Sequence, residues 1–315
     1  MSDVQLITSR EVPLGGPRAM TVRRTLPQRS RSLVGAWCFA DHYGPDDVAR
    51  TGGMDVPPHP HTGLQTVSWL FSGEIEHRDT TGAHALVRPG ELNLMTAGSG
   101  VAHSEVSTAA CGTLHGVQLW TALPDSARDV PRSFVHHVPD VLQLDGLGTA
   151  RVLLGTLAGH TSPVPTYSPL LGAELVLEPF AELVLDVAPE FEHGVLVDHG
   201  PVVLDGVELG RAELGCTAPG RRQLALGNPG TRPARVLLLG GEPFPDPVVM
   251  WWNFLGRTHE EIAEFRAAWE AGSDRFGEVT GYTGRVPRLP APALPGVRLR
   301  PRIAPPAPGD PSAWG

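Results

Sequence analysis

Two pairs of possible metal ligands lie in the first half of the chain. His59 and His61 are two residues apart in HPHTG, and His103 and Glu105 repeat that spacing in VAHSE. Residues two apart on a β-strand point to the same face. Antiparallel pairing of the two segments would therefore bring all four side chains together. Three neutral imidazoles and one carboxylate suit Fe, Mn, Co, Ni or Zn and leave coordination positions for water or substrate.

Each pair taken alone could equally be part of an ordinary polar strand face. Together they favour a single site, because residues 62–102 contain the strand and turn pattern needed to bring the pairs opposite each other. His77 and His115 are weaker candidates. Each is predicted to be either a partner of a ligand or a structural residue, and a direct role toward substrate is the less favoured alternative.

The residues around these pairs form a succession of short predicted strands. The segments TVSWLF, EIEHRD, AHALVRP, ELNLM and HGVQLW are rich in β-forming residues and alternate in polarity. Turns containing glycine or proline separate them at the spacing of a closed barrel or sandwich. The first half is therefore predicted to be a β-barrel with the four candidate ligands facing inward.

A second series of strands follows a connecting segment at 124–147. It comprises GAELVLEP, AELVLDV, HGVLVDHG, VVLDGVELG, RQLALGNPG and ARVLLLGG, with Asp205-Gly206 as a hairpin turn. This repetition predicts a duplicated barrel. His193 and His199 are isolated in this half, so the second barrel is expected to lack a metal.

One helix and an irregular tail end the chain. Thr258 and Glu261 form a capping box, apolar residues repeat at helical spacing after them, and Gly272 can end the helix. Beyond Tyr282 the chain is rich in proline and arginine and cannot form a core of its own. We expect a tail that is removable from Arg285 onward with metal binding retained.

Composition limits the classes of function. Hydrophobic residues make up 41% and charged residues 19%, as in globular proteins. The net charge of -9 argues against direct nucleic-acid binding. Three cysteines without close spacing indicate a reducing compartment, and neither a signal peptide nor a long apolar segment is evident. A soluble, cytoplasmic protein that does not contact membranes is expected.

The sequence resembles the pirin family of the cupin superfamily. HPHTGLQTV is similar to the family's HPHRGFETV, and GEIEHRD, MTAGSGVAHSE, LHGVQLW and GEPFPDPVVMWWNF resemble its later motifs. The resemblance covers most of residues 4–272 and excludes the tail. Thr62 and Gln65 stand where the family usually has arginine and glutamate, and we expect both at the pocket entrance.

This resemblance implies an all-β fold of two consecutive cupin barrels, a bicupin, with a short C-terminal helix and a Pro-rich tail. The expected units are a metal-binding domain at 1–135, a metal-free barrel at 136–257, a packing helix at 258–272 and the tail at 273–315. The implied cofactor is one divalent transition metal, preferentially Fe(II), on His59, His61, His103 and Glu105. Mn, Co, Ni and Zn remain alternatives.

Three functions are compatible with these residues and motifs. The first is a quercetinase-type dioxygenase, which would take dioxygen and a flavonol-like substrate and use Glu105 as both ligand and base. The second is a non-enzymatic, metal- or redox-sensing module that binds a transcription factor or a metabolic enzyme as protein partner. The third is a metal-dependent isomerase, for which no additional carboxylate or lysine cluster is evident.

Overall fold

The computed structural model describes residues 4–14 and 20–302. Residues 303–315 of the predicted tail, and the short segments 1–3 and 15–19, lie outside the described residues. The elements of the first part of the chain are β1 (Gln5–Ile7), β2 (Arg10–Pro13), β3 (Thr21–Leu26), β4 (Trp37–Asp47), α1 (Val48–Thr51), β5 (Asp55–His61), β6 (Leu64–Ser72), β7 (Ile75–Asp79), β8 (His84–Val87), β9 (Leu92–Thr96), β10 (Val101–Ser107), β11 (Thr113–Ala122) and β12 (Ser133–His137).

The second part continues the strand-rich pattern and ends with a helix. Its elements are β13 (Leu142–Gln143), β14 (Gly148–Leu154), β15 (Thr156–Leu157), β16 (His160–Thr161), β17 (Leu170–Leu177), β18 (Glu182–Asp186), β19 (Glu192–His199), β20 (Val202–Leu204), β21 (Val207–Leu209), β22 (Leu214–Thr217), β23 (Gln223–Gly227), β24 (Ala234–Gly241), β25 (Val249–Trp251), β26 (Phe254–Gly256) and α2 (His259–Glu270). No helix among the described residues is long and apolar enough to cross a membrane.

Each half forms a seven-stranded and a four-stranded sheet. In the first half the orders are β12-β9-β6-β11-β4-β3-β2 and β5-β10-β7-β8. In the second half they are β1-β22-β19-β24-β17-β14-β13 and β18-β23-β20-β21. The matching architecture confirms the predicted all-β fold with two consecutive cupin barrels. The N-terminal strand β1 pairs with β22 of the second half and forms an edge of that half's seven-stranded sheet.

The two large sheets face each other across a common hydrophobic core. Strand alternation places one side of each sheet in this core, which contains Trp37 and Val67 from the first half and Leu196 and Leu237 from the second. The Trp37 indole also donates to two carbonyl oxygens of the second half, at 3.0 and 3.2 Å. Both apolar burial and hydrogen bonding therefore fix the first barrel against the second.

A buried carboxylate joins the same two sheets. Asp198 on β19 accepts hydrogen bonds from His42 of β4 at 2.7 Å, from His115 of β11 at 2.6 Å and from the neighbouring His199 at 2.8 Å. Burial raises the pKa of Asp198, but the hydrogen bonds from the imidazoles outweigh it and hold that pKa well below its usual range. Asp198 is therefore ionised across the neutral range, and we name the set His42, His115, Asp198 and His199 the inter-barrel cluster.

Asp198→Asn should lower the free energy of unfolding by about 3 kcal/mol at neutral pH, because an amide cannot accept from all the imidazoles and leaves a buried donor unpaired. His199 is partly exposed, so His199→Gln should cost less than about 1 kcal/mol. Urea unfolding measures both. A lowered native pKa stabilises the fold above the unfolded pKa, so the Asp198→Asn deficit should shrink as pH falls below about 4. Equal stability of the two variants would contradict this role.

The terminal helix and the tail pack onto the first half. In α2, Thr258 accepts from Glu261 N–H as the capping box predicts, and Ile262, Phe265 and Trp269 are buried. The tail then passes beside the ligand-bearing strand, where Leu289 N–H donates to the carbonyl of Pro58 at 2.9 Å. The described part of the tail, residues 273–302, is thus held by specific contacts although its composition could not form a core alone.

Candidate metal centre

The two ligand-bearing segments are adjacent strands of one sheet. β5 and β10 pair in antiparallel register, with His103 opposite His59 and Val101 opposite His61. A register irregularity separates His103 from Glu105, and such bulges reorient side chains near functional sites. After His61 the chain reverses at Gly63, whose positive φ of 67° and close approach to the Leu255 carbonyl exclude a side chain.

Three of the four predicted ligands converge directly. One ring nitrogen from each of His59, His61 and His103 lies within 4.8 Å of the others. The Nε2 atoms of His61 and His103 are 3.1 Å apart. All three side chains are buried. Three imidazole nitrogens converging in a buried site form a donor set suited to a first-row transition metal.

Hydrogen bonds at Nδ1 of His59 and His61 determine which ring nitrogen carries the hydrogen. The Nδ1 of His59 is 2.9 Å from the carbonyl oxygen of Pro57, and the Nδ1 of His61 is 3.1 Å from that of Asn253. A carbonyl can only accept, so each Nδ1 must carry the hydrogen. In a neutral ring this leaves Nε2 with a free lone pair, which is the arrangement a metal ligand requires.

His103 reaches the same state through a chain of side chains. Its Nδ1 lies 3.4 Å from the Nδ1 of His77, and the Nε2 of His77 lies 2.9 Å from a carboxylate oxygen of Asp79. Burial raises the pKa of Asp79, but hydrogen bonds from His77 and Thr81 outweigh it and lower the pKa overall. Ionised Asp79 accepts from His77, whose Nδ1 can then accept from His103. The Nε2 of His103 is left as a lone pair.

Burial keeps the cluster neutral. It lowers the pKa of His59 to about 4, and it lowers the pKa values of His61 and His103 well below the ordinary value, with neighbouring imidazoles adding to the effect. The rings are therefore unprotonated near neutral pH. A cation bound by these nitrogens would not have to displace protons there.

Glu105 is placed beside the histidine cluster. A carboxylate oxygen of Glu105 groups with ring nitrogens of His77 and His103, within 4.8 Å of one another, whereas the group of His59, His61 and His103 does not include it. The hydroxyl of Ser68 lies 3.1 Å from Glu105 Oε1 and 3.0 Å from Gln118 Oε1, so its one hydrogen serves one acceptor at a time. Burial raises the pKa of Glu105 despite the opposing effects of His77 and Ser68.

A cavity of about 370 Å³ opens onto all four predicted ligands. One wall is aromatic: the rings of Phe39 and Trp120 stack at 3.9 Å, and His61 meets the Trp120 ring edge-on at 5.0 Å. The remaining lining includes Met250, Trp252 and Leu289. Its volume is typical of small-molecule sites, and its lining combines apolar and aromatic walls with the polar groups of the histidine cluster, Glu105 and two arginines.

His77→Phe should weaken metal binding by about 10- to 100-fold, because it removes the acceptor for the Nδ1–H of His103 while the ring can still stack on Phe134. The measurement is competition for metal with a chelator of known affinity. His84→Phe, on the exposed neighbouring strand, is the matched control and should leave affinity unchanged. Unchanged affinity in His77→Phe would show that this chain of hydrogen bonds does not position His103.

Several pocket residues could not be found from the sequence. In the aromatic run at 251–254, Phe254 packs in the core, but Trp252 lines the cavity with a positive φ of 53°. The neighbouring Asn253 supplies the carbonyl that orients His61. Thr62 and Gln65, expected at the pocket entrance, instead bond to the Leu255 carbonyl and to Thr96 and do not line this cavity. The only sequence feature that could have pointed to Trp252 and Asn253 is an aromatic run next to a turn.

His115 also lies elsewhere than beside the predicted ligands, since it belongs to the inter-barrel cluster. His42, His115 and Asp198 could by their atom types hold a metal. However, Arg23 Nε points at His42 Nδ1 at 3.3 Å. A guanidinium only donates, so this Nδ1 must accept and Nε2 carries the hydrogen. In His59, His61 and His103 the opposite holds, because Nδ1 carries the hydrogen and Nε2 has the free lone pair.

Comparison with known proteins gives a consistent family match. The family model described as Pirin matches residues 19–121, and that described as Pirin C-terminal cupin domain matches residues 172–277. A Pseudomonas aeruginosa protein named "Putative quercetin 2,3-dioxygenase" is 45% identical over 93% of this chain and 91% of its own length. A "Pirin-like protein" of Caulobacter vibrioides is 39% identical over 80% of this chain and 88% of its own.

A solved structure extends this match to the whole fold. The crystal structure of a quercetin 2,3-dioxygenase from Acinetobacter baumannii superposes with a TM-score of 0.88 at 37% identity. The superposition covers 95% of this chain and 97% of that one. The solved structure therefore shares the two-barrel arrangement of this chain.

Proposed function

Because the chain belongs to the pirin family of two-barrel cupins, we propose that it is a metal-dependent dioxygenase of the quercetinase type that opens flavonol-like substrates. The observation that carries the proposal is the convergence of three neutral imidazoles, each with Nε2 free, on a cavity that also holds a carboxylate of raised pKa. The names of the Pseudomonas relative and the Acinetobacter structure support the substrate class.

We propose His59, His61, His103 and Glu105 as the ligands of one divalent metal, with Fe(II) preferred over Mn, Co, Ni and Zn. The bound metal would hold the adjacent hydroxyl and carbonyl oxygens of a flavonol and lower the pKa of the hydroxyl. The three imidazoles fix the geometry, since each is oriented by a hydrogen bond at Nδ1. The cytoplasmic location inferred from the sequence remains part of the proposal. The three cysteines are free and buried, which is compatible with a reducing compartment.

Glu105 is the proposed base. Burial raises its pKa, which strengthens it as a proton acceptor, and Ser68 can orient one of its oxygens. It would take the hydroxyl proton of the flavonol. The resulting electron-rich enolate then reacts with dioxygen, and both atoms of O2 are incorporated as the heterocyclic ring is cleaved to an ester and carbon monoxide. The stacked rings of Phe39 and Trp120 offer a flat wall for an aromatic substrate.

The second barrel is proposed to stabilise the first. We propose a catalytic unit within residues 1–135 and a metal-free unit within 136–257, followed by the packing helix at 258–272 and the tail at 273–315. The inter-barrel cluster and the shared core support this division of roles. Since β1 pairs with β22, the first unit alone would leave that edge strand without its partner.

Oxygen uptake on a flavonol panel tests the proposal. Protein purified without added metal is first analysed for its metal content and then assayed before and after loading with each of the five candidate metals. We expect flavonol-dependent oxygen consumption that a chelator abolishes. Inactivity with every metal and every flavonol would reject the enzyme and leave a metal-binding module that acts through a protein partner.

A further inference from the structure

An arginine of the C-terminal tail lines the candidate active-site cavity. Arg302 contributes to the same lining as the three histidines and Glu105. The residues matched by the family models end at residue 277, so Arg302 lies outside them, in the C-terminal tail. Leu289, from the same tail, also lines the cavity and is fixed beside the ligand strand by its bond to the Pro58 carbonyl.

The backbone holds Arg302 in place. Its N–H donates to the carbonyl of Val248 at 2.7 Å and its carbonyl accepts from Val248 N–H at 2.9 Å. The two residues thus form an antiparallel bridge immediately before β25, the strand that supplies Met250 to the same cavity. A further tail residue, Arg298, pairs with Glu260 on α2. The end of the tail is therefore anchored at several points.

The guanidinium of Arg302 lacks a carboxylate partner among residues 4–14 and 20–302. Its one side-chain hydrogen bond in that part of the chain goes to the Ser32 hydroxyl at 3.2 Å. Burial and the nearby Arg10 lower the pKa of Arg302, which indicates surroundings that disfavour its cation. Partly buried charges are normally paired, so an anion here would be stabilised.

The other cation of the cavity is already neutralised. Arg24 makes two hydrogen bonds of 2.7 Å to Asp41 and lies 4.3 Å above the ring of Phe39. Among the described residues that line the cavity, Glu105 is the only acidic one, and it lies with His103 and His77. The cavity therefore has an acid beside the candidate metal ligands and, within the described chain, one uncompensated cation on the tail.

We propose that Arg302 is a specificity residue that selects aromatic substrates carrying a second anionic group, a carboxylate or an ionised phenol, apart from the hydroxyl that the metal would bind. This inference deepens the proposed function and rests on it for the identity of the aromatic portion. A planar guanidinium binds a carboxylate through two parallel hydrogen bonds, which gives both affinity and orientation. The tail thereby becomes part of the substrate site.

Binding of two probes to the metal-loaded full-length protein tests the proposal without requiring turnover. The probes are 3-hydroxyflavone and the same flavone with a 4′-carboxylate, and quenching of tryptophan fluorescence reports their affinity. The wild type should prefer the carboxylate. Arg302→Gln should weaken the carboxylate probe by about tenfold and the neutral probe much less. Arg302→Lys should restore part of the preference, and Arg298→Gln, the matched tail control, should behave as the wild type.

The outcomes separate this inference from the proposed activity. Arg302-dependent preference for the carboxylate without oxygen uptake would support anion selection and reject the dioxygenase. Turnover of flavonols with an unchanged probe preference in Arg302→Gln would reject anion selection and keep the dioxygenase. Equal affinity of the wild type for both probes, or no binding of either, would also overturn the inference. Unchanged unfolding midpoints of Arg302→Gln and Arg302→Lys exclude a simple folding defect as the cause.

Discussion

His103→Ala is expected to give a folded protein that has lost most of its metal. His103 lies between His61, whose Nε2 is 3.1 Å from its own, and His77, which accepts from its other nitrogen. Removing the His103 ring deletes one nitrogen ligand of the metal and disconnects His77 and Asp79 from the site. Because loss of an orienting partner alone costs about 10- to 100-fold in affinity, loss of the ligand should exceed about 100-fold. Elemental analysis and chelator competition measure the change, and His59→Ala should behave alike.

The appropriate control is His193→Ala. His193 is as deeply buried as His103, its pKa is lowered by burial to about 4, and neither ring nitrogen has a hydrogen-bond partner in the described part of the chain. It lies in the second barrel, away from the proposed ligands. This variant should retain about one metal per chain. Near-full occupancy in both His59→Ala and His103→Ala would disprove the ligand assignment.

Glu105→Gln should lower turnover by about 100-fold or more at matched metal occupancy. The amide preserves size and one oxygen donor but cannot take the hydroxyl proton, and general-base catalysis contributes about 10²- to 10⁴-fold. Metal content should fall far less, because three imidazoles remain. Glu76→Gln, on the neighbouring strand β7 and partly exposed, is the matched control and should retain activity.

The pH profile gives an independent test of the same residue. A general base must be ionised, so wild-type kcat/KM of the metal-loaded protein should fall on the acidic side, where the Glu105 carboxylate becomes protonated. Glu105→Gln should lack this acidic limb. Full activity in the variant would reduce Glu105 to a ligand and leave His77 or a metal-bound water as the candidate base.

The fold could be predicted from the sequence where its signals are local. Strand alternation identified β6, β7 and β9, and the Asp205-Gly206 turn joins β20 to β21 as a hairpin. Strand β1 could not be assigned to the second half, since its partner β22 lies about two hundred residues away, and sequence alternation carries no information on which distant edge a strand joins. The inter-barrel cluster could not be predicted for the same reason, because its residues are distant from one another in the sequence.

The position of the candidate ligands could be predicted from the sequence, because they lie in pairs on two strands. The two-residue spacing placed His59, His61, His103 and Glu105 on one sheet, and β5 and β10 pair as that spacing requires. The residues that orient them were not predictable. A backbone carbonyl at Asn253 has no sequence signature, and His77 acquires its role through the fold that sets it beside His103 and Asp79. The tail arginine could not be found from composition, which indicates only whether a segment can fold independently.

Quantification of carbon monoxide is the most direct test of the proposed dioxygenase activity. Metal-loaded wild-type protein is incubated with a flavonol under a known amount of dioxygen, and consumed O2, consumed flavonol and released carbon monoxide are measured together. Quercetinase-type cleavage to an ester predicts equal amounts of all three in the metal-loaded protein. After chelation of the metal, neither O2 nor flavonol should be consumed and no carbon monoxide should be released. Flavonol loss without carbon monoxide, or release that persists in the chelated protein, would contradict this activity.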